Sequence, residues 1–415
     1  MPSPAFRATI VPRHYWVMLL SLLSGFALSQ AFRTITAILA QGLQQDFGIS
    51  ASSLGAFAGL FGLSFGVAQL MMGIGMDLYG LRRTVLSAFP LAAAGAAVSA
   101  AAPSYGWLML GQLMIGVGCS PAFLACTIFI ARHFPADRFA FFSGLSMGIG
   151  GLGLLFTGTP LAWVVEMSSW RSAFWLLSVL CALSWVLIFC KVHEPSLPQS
   201  SAGRETWGQA FVRMAELLTL PHTWGMLVLG MSCYASFLSL RGLWIGPLLM
   251  ERHGFTLVQC GHVALIVSLI SLFTPAVFGR MDPGVMQRRK WLGNLSLVMA
   301  ALFVALAVWS GVTVNVVILI AMAMLSGYGL LQYADVRASY PNHMTGRALS
   351  LFTMAMFLGV ALMQWLTGMV AAWATAHGIE IYMAVTLTIA MWLSMASLAY
   401  RFLPASPLLQ AAANH

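Results

Sequence analysis

Charged side chains are scarce in this chain: 7% of its 415 residues are Asp, Glu, Lys or Arg. A soluble domain carries about 25% charged residues, so this chain has too few of them to cover a surface exposed to water. At the same time, 60% of the residues are hydrophobic. The composition therefore excludes a soluble globular protein and predicts a protein whose solvent is lipid.

The chain also lacks the residue patterns of a disulfide framework, a metal site or a catalytic centre. Its six cysteines lie within or at the edge of apolar stretches, and no two of them form a CxxC pair. Paired carboxylates, a Ser/His/Asp set and a His/Cys cluster are all missing at membrane depth. We therefore expect no enzyme activity, no metal and no other cofactor.

Long intervals without charge define the candidate membrane spans, because a span needs about 20 apolar residues. These intervals are 14–32, 47–76, 84–131, 139–165, 172–190, 217–240, 253–279, 291–334, 348–379 and 381–400. The third and eighth are long enough for two spans each, split near Pro103 and Gly311. The first span continues past Arg33 to about Gln44. The sequence thus predicts an all-α integral membrane protein with twelve transmembrane helices.

The distribution of Lys and Arg over the loops predicts the orientation. With the N-terminus inside, sixteen of the 20 basic residues fall in cytoplasmic segments, two fall outside and two lie within spans. Cytoplasmic loops carry the excess of Lys and Arg, so we expect a multi-pass protein of the inner membrane with both termini cytoplasmic. This topology accounts for the net charge of +9 without a nucleic-acid partner.

A polar insert divides the spans six and six. We interpret 1–191 and 222–415 as two six-helix bundles, and 192–221 as a cytoplasmic linker with an interfacial helix around Trp207–Leu218. The bundles are related by an internal repeat, since landmarks recur at nearly constant offsets: Gly48 with Gly254, Asp77 with Asp282, Pro135 with Pro341, and Gly116 and Gly118 with Gly327 and Gly329. Parallel six-span repeats occur in secondary transporters, which bind substrate at mid-depth between the repeats.

Two arginines, Arg33 and Arg241, lie inside predicted spans at matching places in the two halves. A guanidinium group cannot be neutralised at any workable pH, and its burial in a bilayer costs several kcal/mol. The acidic residues nearest to mid-span, Glu166 and Asp335, lie close to helix ends, so neither arginine is expected to have an acidic partner at its depth. The alternatives are snorkelling to the outer interface and pairing with a backbone carbonyl. A pair at related positions favours a site for an anion, with the bidentate geometry that suits carboxylate or phosphate.

Further polar residues in the spans are candidates for the same site. Gln30 shares the helix face of Arg33, and Tyr234 lies two turns before Arg241. The remaining candidates for substrate binding are Gln69, Gln112, Tyr328, Gln332 and Gln364. Each of these could instead form a hydrogen bond between helices, a role that the sequence alone does not separate from substrate binding.

The loop between spans two and three has the clearest motif, Gly73-x-x-x-Asp77-x-x-Gly80-x-Arg82-Arg83, with a degenerate copy at 279–290 that includes Asp282. It resembles the loop signature of the major facilitator superfamily, and the resemblance covers essentially the whole chain. Leu78 and Leu81 stand where arginines are usual. The resemblance implies transport by alternating access, with gating by Gly73, Asp77, Gly80, Arg82, Arg83 and Asp282. Topology-setting charge, the alternative, explains the arginines but neither Asp77 nor the glycine spacing.

The segment Arg241-Gly242-Leu243-x-x-x-Pro247 resembles the seventh span of organophosphate:phosphate antiporters, which also use one arginine in span one and one in span seven. Their own short signature is not evident here. We expect a monomeric secondary or facilitative transporter of a small organic anion, either an organic acid, an amino acid or a small peptide. The alternatives are an exchanger of organophosphate or inorganic anions and, from another class, a non-transporting sensor or membrane-embedded enzyme. The coupling ion stays open.

Overall fold

The structure, a computed structural model, describes residues 12–134, 139–193 and 207–407. It leaves out the side chains at 77–78, 139–141, 143–144, 207, 210–211, 213–214, 342–343 and 345–346. All regular structure in the described ranges is helical. The helices form twelve segments long and apolar enough to cross a membrane, so the predicted all-α class and span number are confirmed. Pro135 and residues 194–206 of the predicted linker lie outside the described residues.

The first six spans contain eleven helices, because several spans are interrupted. Span one consists of α1 (Arg13–Phe32) and α2 (Thr36–Phe47), span two of α3 (Ala51–Tyr79), and span three of α4 (Leu81–Ala88) and α5 (Pro90–Ala100). Span four consists of α6 (Tyr105–Cys119) and α7 (Pro121–His133), span five of α8 (Phe139–Gly150), α9 (Leu152–Phe156) and α10 (Thr159–Met167), and span six of α11 (Trp170–Lys191). Proline occupies the first turn of α5, α7 and α10, where its missing N–H is tolerated.

The second half begins with α12 (Trp207–Leu218), which has the bounds predicted for the helix in the linker. Span seven joins α13 (Pro221–Ser239), a π-helical segment (Leu240–Trp244), α14 (Ile245–Pro247) and a second π-helical segment (Leu248–Arg252). Spans eight and nine are α15 (Leu257–Arg280) and α16 (Val285–Val308). Span ten contains α17 (Val312–Leu325), a 3₁₀ turn (Ser326–Gly329) and α18 (Leu330–Ser339), and spans eleven and twelve are α19 (Asn342–Ala376) and α20 (Ile381–Phe402).

Matching contacts occur at the end of each half. Arg82, at the start of span three, donates a hydrogen bond to the Val192 carbonyl oxygen just after span six, at 2.6 Å. Arg289, at the start of span nine, donates to the carbonyl oxygens of Tyr400, at 2.5 Å, and Leu403 at the end of span twelve. The last carbonyl groups of a helix lack partners within it and are stabilised by a nearby cation. Two of the basic residues near the helix ends therefore also tie helices together.

The connections between spans lie on two faces of the molecule. The first face has the connections at 48–50, 101–104, 168–169, 253–256, 309–311 and 377–380, and the second face has the others. Near the first face the two halves pack through three seams, where glycine allows the backbones to approach closely. A Cβ atom added at Gly246 would lie 2.0 Å from the carbonyl oxygen of Ala37. At Gly55 it would lie 2.4 Å from the carbonyl oxygen of Gln364, and at Gly158 it would lie 2.7 Å from the side chain of Leu265.

Replacing Gly246 with Ala should open the first face. The new methyl group would meet the backbone oxygen of Ala37, which cannot rotate away as a flexible side chain does, so spans one and seven must separate. The Cys260 thiol, now buried with its sulfur 3.8 Å from the Gly246 oxygen, should become accessible. In a protein whose other five cysteines are replaced by serine, Gly246→Ala should react several-fold faster with a water-soluble maleimide.

The matched control is Gly148→Ala, because nothing lies within 4 Å of a Cβ atom at that position. This control should leave the rate of Cys260 labelling unchanged. Equal rates in the two variants would contradict a tight seam between spans one and seven.

Candidate functional site

A cavity of about 230 Å³ lies between the two halves, near the middle of the spans. Its wall contains both apolar and polar side chains, and each half contributes side chains of both kinds. Seven of the residues predicted to bind substrate line this cavity: Gln30, Arg33, Gln69, Tyr234, Arg241, Tyr328 and Gln332. Residues more than 200 positions apart in the sequence therefore meet around one space.

Two of the predicted binding residues do not line the cavity. Gln112 and Gln364 are both almost fully buried, with exposed fractions of 1% and 2%, but neither belongs to the wall. Conversely, the wall includes several residues with small polar groups that the sequence did not single out, namely Thr34, Cys233, Ser268, Ser271, Ser326 and Thr353. Ser and Thr are common in membrane helices, so their sequence positions alone give no functional signal.

Arg33 lies where the first span is interrupted. The helix predicted to continue to Gln44 breaks at residues 33–35 and resumes as α2. The guanidinium group lies between the rings of Phe65 and Phe357, one from each half, at 4.9 and 4.8 Å from the ring centres. Its Nη1 donates to the Tyr234 hydroxyl at 3.2 Å. Aromatic faces stabilise a cation without neutralising it, so the positive charge remains available to a ligand.

Arg241 lies in the π-helical segment of span seven, and its exposed fraction is 3%. π-Helical segments are frequent at functional sites. Its Nε donates to the Ser268 hydroxyl at 2.8 Å, and Nη2 donates to the Leu154 carbonyl oxygen at 3.2 Å and approaches the Thr157 hydroxyl at 3.5 Å. All of these partners are neutral oxygens, so none of the described hydrogen-bond partners of this arginine is acidic, and one of them is a backbone carbonyl, an alternative that the sequence left open. Leu154 and Thr157 belong to the other half, so Arg241 ties the two halves together.

Unpartnered donor atoms remain on both arginines. Nε of Arg33 and Nη1 of Arg241 are buried without a hydrogen-bond partner among the described residues. An unsatisfied buried N–H group is costly, and one on a cation is more so. Each guanidinium group therefore still has a donor for an acceptor that the described side chains do not supply.

The described wall of the cavity contains no carboxylate, so its two arginines give it a charge of about +2. Asp335, placed by the sequence near a helix end, is nevertheless buried, with 3% exposure. Its Oδ2 accepts from the Tyr400 hydroxyl at 2.6 Å, and it lies outside the wall. The described wall therefore supplies no negative charge to the cavity.

The predicted gating motifs are only partly described. The Asp77 side chain lies outside the described residues, whereas Gly80 adopts the positive φ of 85° that favours glycine, and Arg83 is exposed. In the second copy, Asp282 accepts from Nε of Arg288 at 3.0 Å and from the backbone N–H of Gly284 at 3.1 Å. The Arg288 guanidinium holds the pKa of this loop carboxyl below its usual range, so Asp282 is ionised at neutral pH.

Replacing Thr157 with Val should destabilise the contact between the halves. The Thr157 hydroxyl is 2.6 Å from the Thr34 hydroxyl and also receives the long contact from Arg241, so it connects spans one, five and seven. Valine keeps the shape, leaves the buried Thr34 hydroxyl without this partner and removes the contact to Arg241, which keeps its bond to the Leu154 oxygen, at a cost of about 1–3 kcal/mol. We expect a lower midpoint of thermal unfolding in detergent.

The matched control is Thr386→Val. Thr386 is equally buried, but its hydroxyl contacts only carbonyl oxygens of its own helix. A midpoint that falls as much in this control as in Thr157→Val would argue against a special role for Thr157.

Comparisons with known proteins agree with this architecture. A family model described as Major Facilitator Superfamily matches residues 21–362. The facilitated glucose transporter member 10 of solute carrier family 2 from Mus musculus is 31% identical over 197 residues, which cover 45% of this chain and 36% of that protein. This chain thus spans about a third of the length of that relative.

A longer match is to the inner membrane transport protein YajR of Escherichia coli strain K12, 22% identical over 362 residues, covering 84% of this chain and 76% of YajR. Among solved structures, the D-xylose-proton symporter superposes with a TM-score of 0.72 at 15% identity, covering 95% of this chain and 99% of that one. The family model covers far more than half of the sequence. This chain, a multi-pass membrane protein with twelve candidate spans, therefore belongs to the major facilitator superfamily.

Proposed function

We propose that this protein transports a small organic anion bearing a carboxylate, and that Arg33 and Arg241 bind the anionic group. One observation carries the proposal: two guanidinium groups, one from each half, line the same cavity, and each has an unpartnered N–H group. Guanidinium geometry suits carboxylate and phosphate oxygens. Gln30, Tyr234, Tyr328 and Gln332 complete the proposed site.

The position of the arginines also supports a mechanism. Because one arginine belongs to each half, an anion bound between them contacts both halves at once. Such an anion competes with the Leu154 oxygen and the Thr157 hydroxyl for the Arg241 guanidinium. Binding would therefore loosen a contact between the halves, and rocking of the halves would expose the site to one side of the membrane and then the other.

We further propose that the second face is cytoplasmic, as the excess of Lys and Arg predicts. The protein would lie in the inner membrane as a monomer, with bundles 1–191 and 222–415 joined by a cytoplasmic linker at 192–221. Asp77 and Asp282, with Gly73, Gly80, Arg82 and Arg83, would then gate the cytoplasmic side.

A neutral sugar is the second candidate substrate, because several similar proteins are named as glucose transporters. Against it, a neutral molecule would leave a charge of about +2 uncompensated in the cavity. An organophosphate fits the charge equally well and stays an alternative within the anion class. Uptake by proteoliposomes would separate all of these from a non-transporting sensor.

Substituting lysine for either arginine should weaken anion binding. Lysine keeps the positive charge but loses the planar fork of donors, so we expect the Kd of the tightest-binding carboxylate to rise about tenfold, equivalent to about 1.4 kcal/mol. The carboxylate is first chosen by thermal shift from a panel of organic acids, amino acids, peptides and phosphate esters, with glucose included, and its Kd is then measured by calorimetry.

Arg171→Lys is the matched control, because Arg171 pairs with Asp46 near the first face, away from the cavity. The proposal would be refuted by unchanged binding in both Arg33→Lys and Arg241→Lys, or by stabilisation with glucose and with none of the anions.

Topology is tested separately. Reporter fusions after His415 and at Gly203 should both report a cytoplasmic location, because the basic residues of the loops favour that side. A signal from outside at either position would overturn the proposed orientation.

A further inference from the structure

Five buried polar atoms in the cavity wall have no hydrogen-bond partner among the described residues. Two are the arginine donors already described. The other three belong to glutamine amides: Oε1 of Gln30, Oε1 of Gln69 and Nε2 of Gln332. Gln69 and Gln332 are more than nine-tenths buried, with exposed fractions of 7% and 4%.

The chemistry of the three amides restricts the group that satisfies them. An amide has an acceptor oxygen and a donor N–H₂ group, and the two ends are interchangeable by a rotation of the side chain. A hydroxyl is both donor and acceptor, so it complements a glutamine in either orientation. An apolar group would bury the amides unsatisfied, which weakens binding.

An ammonium group fits this cavity poorly. It could donate to the oxygens of Gln30 and Gln69, but the two arginines already give the described wall a charge of about +2. Like charges repel strongly in a site of low dielectric constant. The hydroxyl is therefore preferred over the amino group, and an amino acid or peptide becomes a weaker candidate than a hydroxylated acid.

The three glutamines surround the cavity from different directions. Gln30 is on span one, Gln69 on span two and Gln332 on span ten, so the first two belong to one half and the third to the other. In the orientation that the structure gives, Gln30 and Gln69 both need a donor, and a single hydroxyl group has only one O–H to donate. A molecule with several hydroxyl groups would satisfy both sides of the cavity at once.

We infer that the substrate is a polyhydroxylated carboxylate of the size of a sugar acid, with its carboxylate on Arg33 and Arg241 and its hydroxyl groups on Gln30, Gln69 and Gln332. The inference rests on the proposed function and narrows its substrate class.

Three probes of similar size separate the contributions of charge and hydroxyl groups. Glucuronate has both, glucose has the hydroxyl groups without the charge, and cyclohexanecarboxylate has the charge without the hydroxyl groups. We expect the purified full-length protein to bind glucuronate at least about tenfold more tightly than either other probe, since cyclohexanecarboxylate lacks the hydrogen bonds to the amides and glucose lacks the charge-assisted bonds to the arginines. Calorimetry gives the three Kd values.

The possible results separate the inference from the proposed function. Cyclohexanecarboxylate binding as tightly as glucuronate would overturn the inference and leave the anion site standing. Glucose binding as tightly as glucuronate would overturn both. Binding of none of the three probes at millimolar concentration would also overturn the inference, whereas the panel of carboxylates then decides the proposed function.

Glutamine variants test the residues themselves. Gln69→Leu and Gln332→Leu should each reduce the ratio of glucuronate affinity to cyclohexanecarboxylate affinity by about tenfold, since leucine removes the hydrogen bonds and keeps a similar volume. This ratio does not depend on the fraction of folded protein. Gln112→Leu is the control, because Gln112 is also buried with an unpartnered oxygen but lies outside the cavity wall. An unchanged ratio in both cavity variants would contradict the assignment.

Discussion

Two permanent positive charges buried in an apolar molecule are the constraint around which the centre of this protein is organised. Neither guanidinium group can lose its proton, and neither has a carboxylate in the described wall of the cavity. Arg33 is held by two aromatic faces and a tyrosine hydroxyl, and Arg241 by neutral oxygens of two spans. These contacts reduce the cost of burial without cancelling the charge. They also place each arginine between elements of both halves.

Local helix geometry contributes to the same arrangement. Arg33 lies where the first span is interrupted, and Arg241 lies in a π-helical segment. A regular helix satisfies its own backbone groups, whereas these irregular turns permit a close approach to the opposite half. One consequence is visible at Gly242, where a Cβ atom would lie 2.7 Å from the Arg33 carbonyl oxygen. The proposed site for the substrate and the contact between the halves are therefore built from the same residues.

The sequence predicts much of this fold because burying a charged side chain in a membrane costs several kcal/mol, so that charged residues are rare inside the spans. Intervals without charged residues predict the twelve spans, and the two arginines inside these spans, Arg33 and Arg241, stand out as exceptions. What the sequence does not give is the direction in which each side chain faces. A shift of one residue rotates a side chain by about 100° around the helix axis, so bounds that are uncertain by two residues leave the facing of Gln112 and Gln364 undetermined. The break at Arg33 and the partners of Arg241 depend on tertiary packing, which no local pattern encodes.

Asp335 is a buried carboxylate that does not neutralise the arginines of the cavity. It is buried in span ten, the span that also supplies Gln332, yet its partner is Tyr400 at the second face and not an arginine of the cavity. A carboxylate in place of the Gln332 amide would reduce the positive charge of the cavity wall, and the electrostatic attraction for an anion would then be weaker. With an amide at this position, the cavity keeps its positive charge and gains a hydrogen-bonding group of its own. In the proposed function the substrate therefore supplies the missing charge, and the amides select among anions by the hydroxyl groups they carry.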